Sequence, residues 1–159
     1  MNKIILDTDP GHDDAVAIMF AAASSDIDLS AITCVAGNTT LNNVKQNALK
    51  VCTLINRQDI KIYAGCEKPL KRKLITADHV HGKSGLDYEG DEIHVPKDYQ
   101  IQKKHAVDFI IQECLNSDEK IILCPTGPLT NIAQAILKKP EICKNIEKII
   151  FMGDIFSNE

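Results

Sequence analysis

Four carboxylates fall within eight residues near the amino terminus, in Asp7-Thr8-Asp9-Pro10-Gly11-His12-Asp13-Asp14. They follow the short apolar run Ile4-Ile5-Leu6, which reads as a buried strand. Pro10-Gly11 turns the chain sharply, so Asp9 before the turn and Asp13-Asp14 after it can converge. Crowded anions are costly unless a cation or shared protons compensate. A cluster rich in oxygen and free of sulfur suits a hard cation, calcium or magnesium. The N-terminus of a helix would explain one or two of the acids, through capping and the positive end of its dipole. It leaves Asp7 and Asp9, on the strand side, without a reason.

The rest of the chain must place this cluster, and its pattern alternates strand with helix. Apolar residues at helical spacing (Ala15, Ile18, Met19, Ala22) predict a helix over 13–23, and residues 29–36 read as a second strand. Val44, Ala48, Val51, Cys52 and Ile55 mark a helix over 41–55, and 60–64 is a third strand. Residues 68–100 break the rhythm as a polar loop with His79, His81, Gly82, Gly85, Gly90 and Pro96. Loops of that length inside a domain are usually functional or disordered. A helix follows over 104–115, a strand over 120–124, a helix opening at Gly127-Pro128, and a last strand over 148–152. The expectation is an α/β fold, a mostly parallel Rossmann-like sheet with helices on both faces. Ligands in such sheets bind beyond the carboxyl ends of the strands, here after Leu6, Ala36, Cys124 and Met152.

Bulk properties narrow the partners. At 159 residues the chain fits a single domain, and its net charge of −4 offers no basic excess for neutralising nucleic-acid phosphates. The one compact basic run, Lys71-Arg72-Lys73, reads as a solvated loop. No stretch reaches the roughly 20 apolar residues that span a bilayer, and the amino terminus lacks the pattern of a secretory signal. Six cysteines without CxxC or zinc-like spacing point to reduced thiols in a cytoplasm and to no thiolate metal site.

Asp-x-Asp-Pro-Gly-x-Asp-Asp after an N-terminal strand resembles the signature of the inosine-uridine preferring nucleoside hydrolases. Further segments resemble that family in the same order: Val35-Ala36-Gly37-Asn38, His81-Gly82 with Ser84-Gly85-Leu86, Pro125 to Asn131, and Phe151-Met152-Gly153. The resemblance implies calcium-dependent hydrolysis of the N-ribosyl bond of purine or pyrimidine ribonucleosides, giving ribose and free base. It implies Asp9, Asp14 and the backbone carbonyl of Thr126 as calcium ligands. The nucleophile would be water, with Asp9 as the general base. Asp13 and Asn38 would hydrogen-bond the ribose hydroxyls, Met152 would line the substrate site, and His81 would sit near the departing base. Asp7 is expected to support the turn or the ligands from behind. His12 stands at the variable position of the motif, where histidine resembles the pyrimidine-leaning members. Asn131 is expected to stabilise the helix opening after Gly127 rather than to touch substrate.

The resemblance also implies a departure. Family members are about twice this length, and their second half supplies a further calcium-ligating Asp, a histidine near the leaving group and a ribose-gripping loop. Where the family shows Met-Gly-Gly, this sequence reads Met152-Gly153-Asp154 and continues to Glu159. Residues 1–159 are therefore read as the N-terminal portion of one nucleoside hydrolase domain, truncated relative to the family. Its partners would be a small ribonucleoside and either a second copy or a complementing C-terminal half. The isolated chain is expected to be weakly active or inactive and prone to self-association, and the alternative is a catalytically inactive remnant with at most a weak calcium or ribose site. An acidic-motif phosphatase is disfavoured by Pro10-Gly11 followed by Asp13-Asp14.

Overall fold

In the computed structural model, which describes residues 1–153, five parallel strands form one sheet in the order β3-β2-β1-β4-β5. The strands are β1 (Asn2–Thr8), β2 (Ile27–Cys34), β3 (Ile62–Ala64), β4 (Ile121–Pro125) and β5 (Ile146–Ile149). The connecting helices are α1 (His12–Ala23), α2 (Leu41–Leu54), α3 (Asp78–His81), α4 (Ala106–Asn116) and α5 (Thr130–Lys138), with a 3-10 turn at Pro140–Lys144 before β5. β1 is buried from Ile4 onward because it lies at the centre, paired with β2 on one side and β4 on the other. Both faces of such a strand meet helices, which is why its sequence is a continuous apolar run rather than an alternation.

Side-chain parity divides the core. Leu6, Ile32, Cys34 and Ile62 point to the face covered by α1 and α2, where Ile18, Val44, Ala48 and Cys52 meet them. Ile5, Ala31, Tyr63, Ile121 and Leu123 point to the opposite face, under Phe109 and Ile110 of α4 and Ile132 and Ala135 of α5. Helices thus cover both faces of the sheet, as the alternation of elements predicts. Tyr63 stacks on Phe109 at a centroid distance of 3.9 Å, tying β3 to α4.

The structure departs from the sequence reading at several places: β2 runs two residues earlier than 29–36, and β3 begins at Ile62 rather than at residue 60. The long loop contains the short helix α3, whose four residues carry no apolar periodicity to betray it. α5 begins at Thr130, because Gly127-Pro128-Leu129 form the turn that leads into it. The last strand is β5, two residues earlier than the apolar run suggests. Ile150 and Met152 still donate their N–H groups to Leu123 and Pro125 carbonyls, so pairing with β4 continues beyond it. Ile149, Ile150, Phe151 and Met152 are exposed along this edge, as are Val16 and Phe20 on α1. The departure from Met-Gly-Gly at Asp154 lies outside the described residues.

Chain order reverses at β1: the chain runs outward through β2 and β3, then returns to β4 on β1's other side. In an open parallel sheet this switch point opens a crevice beyond the carboxyl ends of the central strands. The acidic motif begins there.

Candidate active site

Asp7 closes the strand and is almost fully buried. Its Oδ1 accepts hydrogen bonds from the Thr33 hydroxyl (2.6 Å) and the Asn131 amide (2.8 Å), and Oδ2 is buried without a partner. Burial pushes the Asp7 carboxyl up to about 7, against the lowering effect of Thr33 and Asn131. Its main-chain carbonyl meanwhile accepts from the N–H groups of Thr126 (2.9 Å) and Gly127 (3.4 Å). Asp7 therefore joins β1 to β2, to α5 and to the turn after β4.

Asp9 emerges on the crevice side and is also buried. The backbone N–H of Asn38, just beyond β2, donates to its Oδ2 at 2.6 Å. Burial first, then the neighbouring Asp14 carboxylate, push the Asp9 carboxyl up to about 8, against the Asn38 hydrogen bond. Space for it exists because two glycines flank it. A Cβ on Gly37 would collide with Oδ2 and lie 2.7 Å from Pro128 Cδ, and one on Gly127 would collide with Oδ1 and lie 2.9 Å from Cγ.

Asp14, in the first turn of α1, reaches back to the Gly11 N–H with Oδ2 (3.0 Å) and accepts the Thr8 hydroxyl on Oδ1 (3.1 Å). Thr126 donates its hydroxyl to Thr8 at 2.9 Å, so a chain of hydroxyls links β4 through β1 to Asp14. Asn38 gathers the two acids: its Nδ2 donates to Asp14 Oδ2 (3.0 Å) and to the Asp9 carbonyl (3.1 Å). Asp13 and His12 remain exposed. His81, from α3, lies beside them, with Nε2 3.9 Å from Asp13 Oδ1 and its ring stacked on His12. Met152 sits at the carboxyl end of the sheet with an exposed side chain, its N–H on Pro125.

The fold thus gathers Asp9, Asp13, Asp14, Asn38, Thr126 and His81 around one crevice. Sequence reading missed Thr8, Thr33, Gly37, Asn47 and Gly127. A threonine inside each of two apolar strands and an asparagine on the apolar face of α2 were the available signals. Buried polar groups need partners, so their positions pointed to a polar network. Asn131 does not bond to its own helix opening: it is fully buried, donating to Asp7 and the Cys34 carbonyl (3.0 Å) and accepting from the Cys66 N–H (2.8 Å).

The family described as inosine-uridine preferring nucleoside hydrolase matches residues 4–158. This chain belongs to that family. Among curated nucleoside hydrolases and related proteins, it is 46% identical over 154 residues to the pyrimidine-specific ribonucleoside hydrolase RihB of Escherichia coli, covering 97% of this chain and 48% of that protein. It is 45% identical over 150 residues to the pyrimidine-specific ribonucleoside hydrolase RihA of a Shewanella species, covering 94% and 46%. The solved purine-preferring ribonucleoside hydrolase from Gardnerella vaginalis superposes with a TM-score of 0.88 at 34% identity, over 97% of this chain and 49% of that one. The chain spans about half the length of these nucleoside hydrolases.

The raised carboxyls carry a stability consequence. Asp7 binds its proton more tightly in the folded state than the ordinary value of 3.8. The associated stability is fully present below about pH 4 and is lost as pH rises through about 7. Thermal unfolding in chelator is therefore expected at a higher temperature at pH 5 than at pH 8.5. Asp7→Asn should remove a large part of that slope, on the order of 2–4 kcal/mol between the two pH values. A wild-type midpoint that does not fall over this range, measured by calorimetry, would show that Asp7 ionises freely in place.

Proposed function

We propose that this chain carries the acidic, ribose-facing side of a nucleoside hydrolase site, cleaving the N-ribosyl bond of ribonucleosides to ribose and free base with calcium. The observation that carries this reading is the pairing of Asp9 and Asp14 by one asparagine at the switch point of the sheet. Two buried acids in contact with shared partners, one of them pushed up by the other, are a donor set that a cation relieves.

The donor chemistry fits a hard cation: the groups hydrogen-bonded to Asp9 and Asp14 are the Thr8 hydroxyl, the Gly11 N–H and the backbone and amide of Asn38. Asp9, Asp14 and the Thr126 carbonyl are the groups that would hold it. Among the described residues no group of three or more His, Cys, Asp or Glu side chains makes a metal site. Calcium takes six to eight oxygens, so substrate hydroxyls, water and other protein groups are required to complete the shell. When bound, calcium would lower the pKa of nearby water and orient the sugar hydroxyls.

The protein's own groups do the rest. Asp9 Oδ2 is held by the Asn38 N–H, which leaves Oδ1 as the oxygen that takes a proton from water. Asp13, exposed at the start of α1, accepts a ribose hydroxyl, and Asn38 offers its Oδ1 while its amide nitrogen holds Asp14. The carboxylates also stabilise positive charge developing on the sugar as the base departs. His81 stands where it can meet the base, and Met152 would close the sugar pocket.

The exposed run from Ile149 to Met152 supports a polypeptide partner along this edge, a second copy or a complementing half. Six free cysteines support a reducing, cytoplasmic setting. No described helix is long and apolar enough to cross a membrane.

Base release from uridine, cytidine and inosine, followed with calcium and with chelator, tests the proposal. Chelation is expected to abolish release, and Asp14→Asn to lower it by about a hundredfold or more. Release that survives chelation unchanged overturns the role of calcium. No release of any base at millimolar calcium overturns the activity.

A further inference from the structure

Residues 77–87 lie across the acidic motif and are fastened at several points. The Ala77 N–H donates to the Asn38 carbonyl (2.8 Å), and Asn43 Nδ2 donates to the Lys83 carbonyl (3.2 Å). Asn47, buried on α2, bridges the Pro10 carbonyl (3.1 Å) and the Ser84 carbonyl (2.9 Å), and so ties the motif's turn to the segment. The remaining fastening comes from inside the motif. His12 Nε2 lies 2.7 Å from the Asp87 carbonyl, and its ring stacks on His81 with centroids 5.6 Å apart and planes 28° from parallel.

These contacts determine which nitrogen of each ring faces which neighbour. A carbonyl only accepts, so His12 Nε2 carries a hydrogen and Nδ1 is the nitrogen turned to His81. His12 Nδ1 is 3.3 Å from His81 Nδ1, and the His12 backbone nitrogen is 3.5 Å from the same atom. Two groups of His12 therefore converge on one edge of His81. Gly11 lets the ring approach this closely, since a Cβ there would lie 2.8 Å from His81 Nδ1 and Cε1. The opposite edge of His81, bearing Nε2, is left beside Asp13.

We propose that His12 is a positioning residue for His81: it occupies the Nδ1 edge and thereby presents Nε2, beside Asp13, to a nucleoside bound over the acidic motif. An unanchored imidazole populates both orientations about its broad χ2 torsion, so half of its encounters would offer carbon instead of nitrogen. Engagement of Nδ1 selects one orientation before ligand arrives, which is where orientation contributes to rate. The ligand named here rests on the nucleoside hydrolase reading above; the selection of the ring's orientation does not.

The test uses His12→Phe, which keeps a ring for stacking and removes both nitrogens, and His12→Gln, which keeps a donor for Asp87. His12 is exposed, so both variants are expected to unfold within a few degrees of wild type. Nuclear Overhauser contacts from the His81 ring protons are expected to be those of a single ring orientation in wild type, and of both orientations in His12→Phe. kcat for base release is expected to fall about tenfold in His12→Phe with KM little changed, and His81→Ala added to it should cost less than it does in wild type. An unchanged His81 signature in His12→Phe, or losses that multiply in the double variant, overturns the proposal. If no protein releases base, the activity reading fails, and the His81 spectrum alone still decides the role of His12.

Discussion

For the activity proposed above, Gly127→Ala is expected to reduce base release by about a hundredfold while the protein remains folded. The added methyl would collide with Asp9 Oδ1 and approach Cγ and Val35 Cγ1, at 2.9 Å and 3.0 Å. The Asp9 side chain is the group that must move, because Val35 is buried in the core and the Gly127 N–H is held by Asp7. Any rotation of the carboxylate breaks its 2.6 Å hydrogen bond with Asn38 and changes its distance to Asp14. Gly37→Ala should do the same from the other side, with a larger stability cost because the new methyl also meets the ring of Pro128. The comparison is base release and calcium affinity against the thermal midpoint for both variants. Activity within threefold of wild type in Gly127→Ala would mean that the position of the carboxylate is not critical.

Asn131→Ala should be the most destabilising single truncation in the polar network. The side chain is fully buried and satisfies Asp7, the Cys34 carbonyl and the Cys66 N–H together. Its removal leaves an acceptor and a donor of the main chain buried without partners and takes one of two donors from a buried carboxyl. Each such loss costs about 1–3 kcal/mol, so a total of roughly 3–5 kcal/mol is expected by denaturant unfolding. Asn131→Asp keeps the acceptor for Cys66 but sets a second carboxyl against Asp7, and it should be no better above neutral pH. A loss below about 1 kcal/mol for the alanine variant would mean that water replaces the amide.

The sheet, its helices and the location of the crevice were legible because they rest on periodicity and on strand–helix alternation, which are local properties. The burial of β1 followed from its unbroken apolar run, and the acidic motif marked the strand end that mattered. The internal bonding of the site was not legible, since it depends on which strands become neighbours. Thr33 reads as an ordinary β-former, and only the pairing of β2 with β1 turns it toward Asp7. Asn131 looks like a residue for its own helix until β4 and α5 are placed beside β1 and β2. Gly37 and Gly127 could be read as turn glycines, and the reason for them appears only when Asp9 is found between them. The starting position of β5 was misread because exposed and buried edge residues have the same apolar composition.

The bonds that complete the site also set when it comes into being. Asp7 and Asn131 are 124 residues apart, Thr8 and Thr126 are 118 apart, and Cys34 and Asn131 are 97 apart. A ribosome emits β1 well before β4, and β1 must wait for β4 before its second side is paired. Contacts of such long sequence separation are formed slowly, because the closing of large loops costs entropy before any bond is gained. Until α5 docks, Asp7 has lost no water and has no reason to hold its proton, and Asp9 is an ordinary surface acid. Refolding followed by a probe of β1–β2 packing should therefore run ahead of refolding followed by a probe of α5 docking against β1 and β2. The carboxylates at the end of β1 are synthesised long before α5, and their unusual chemistry is acquired only once residues about a hundred positions later have docked against them.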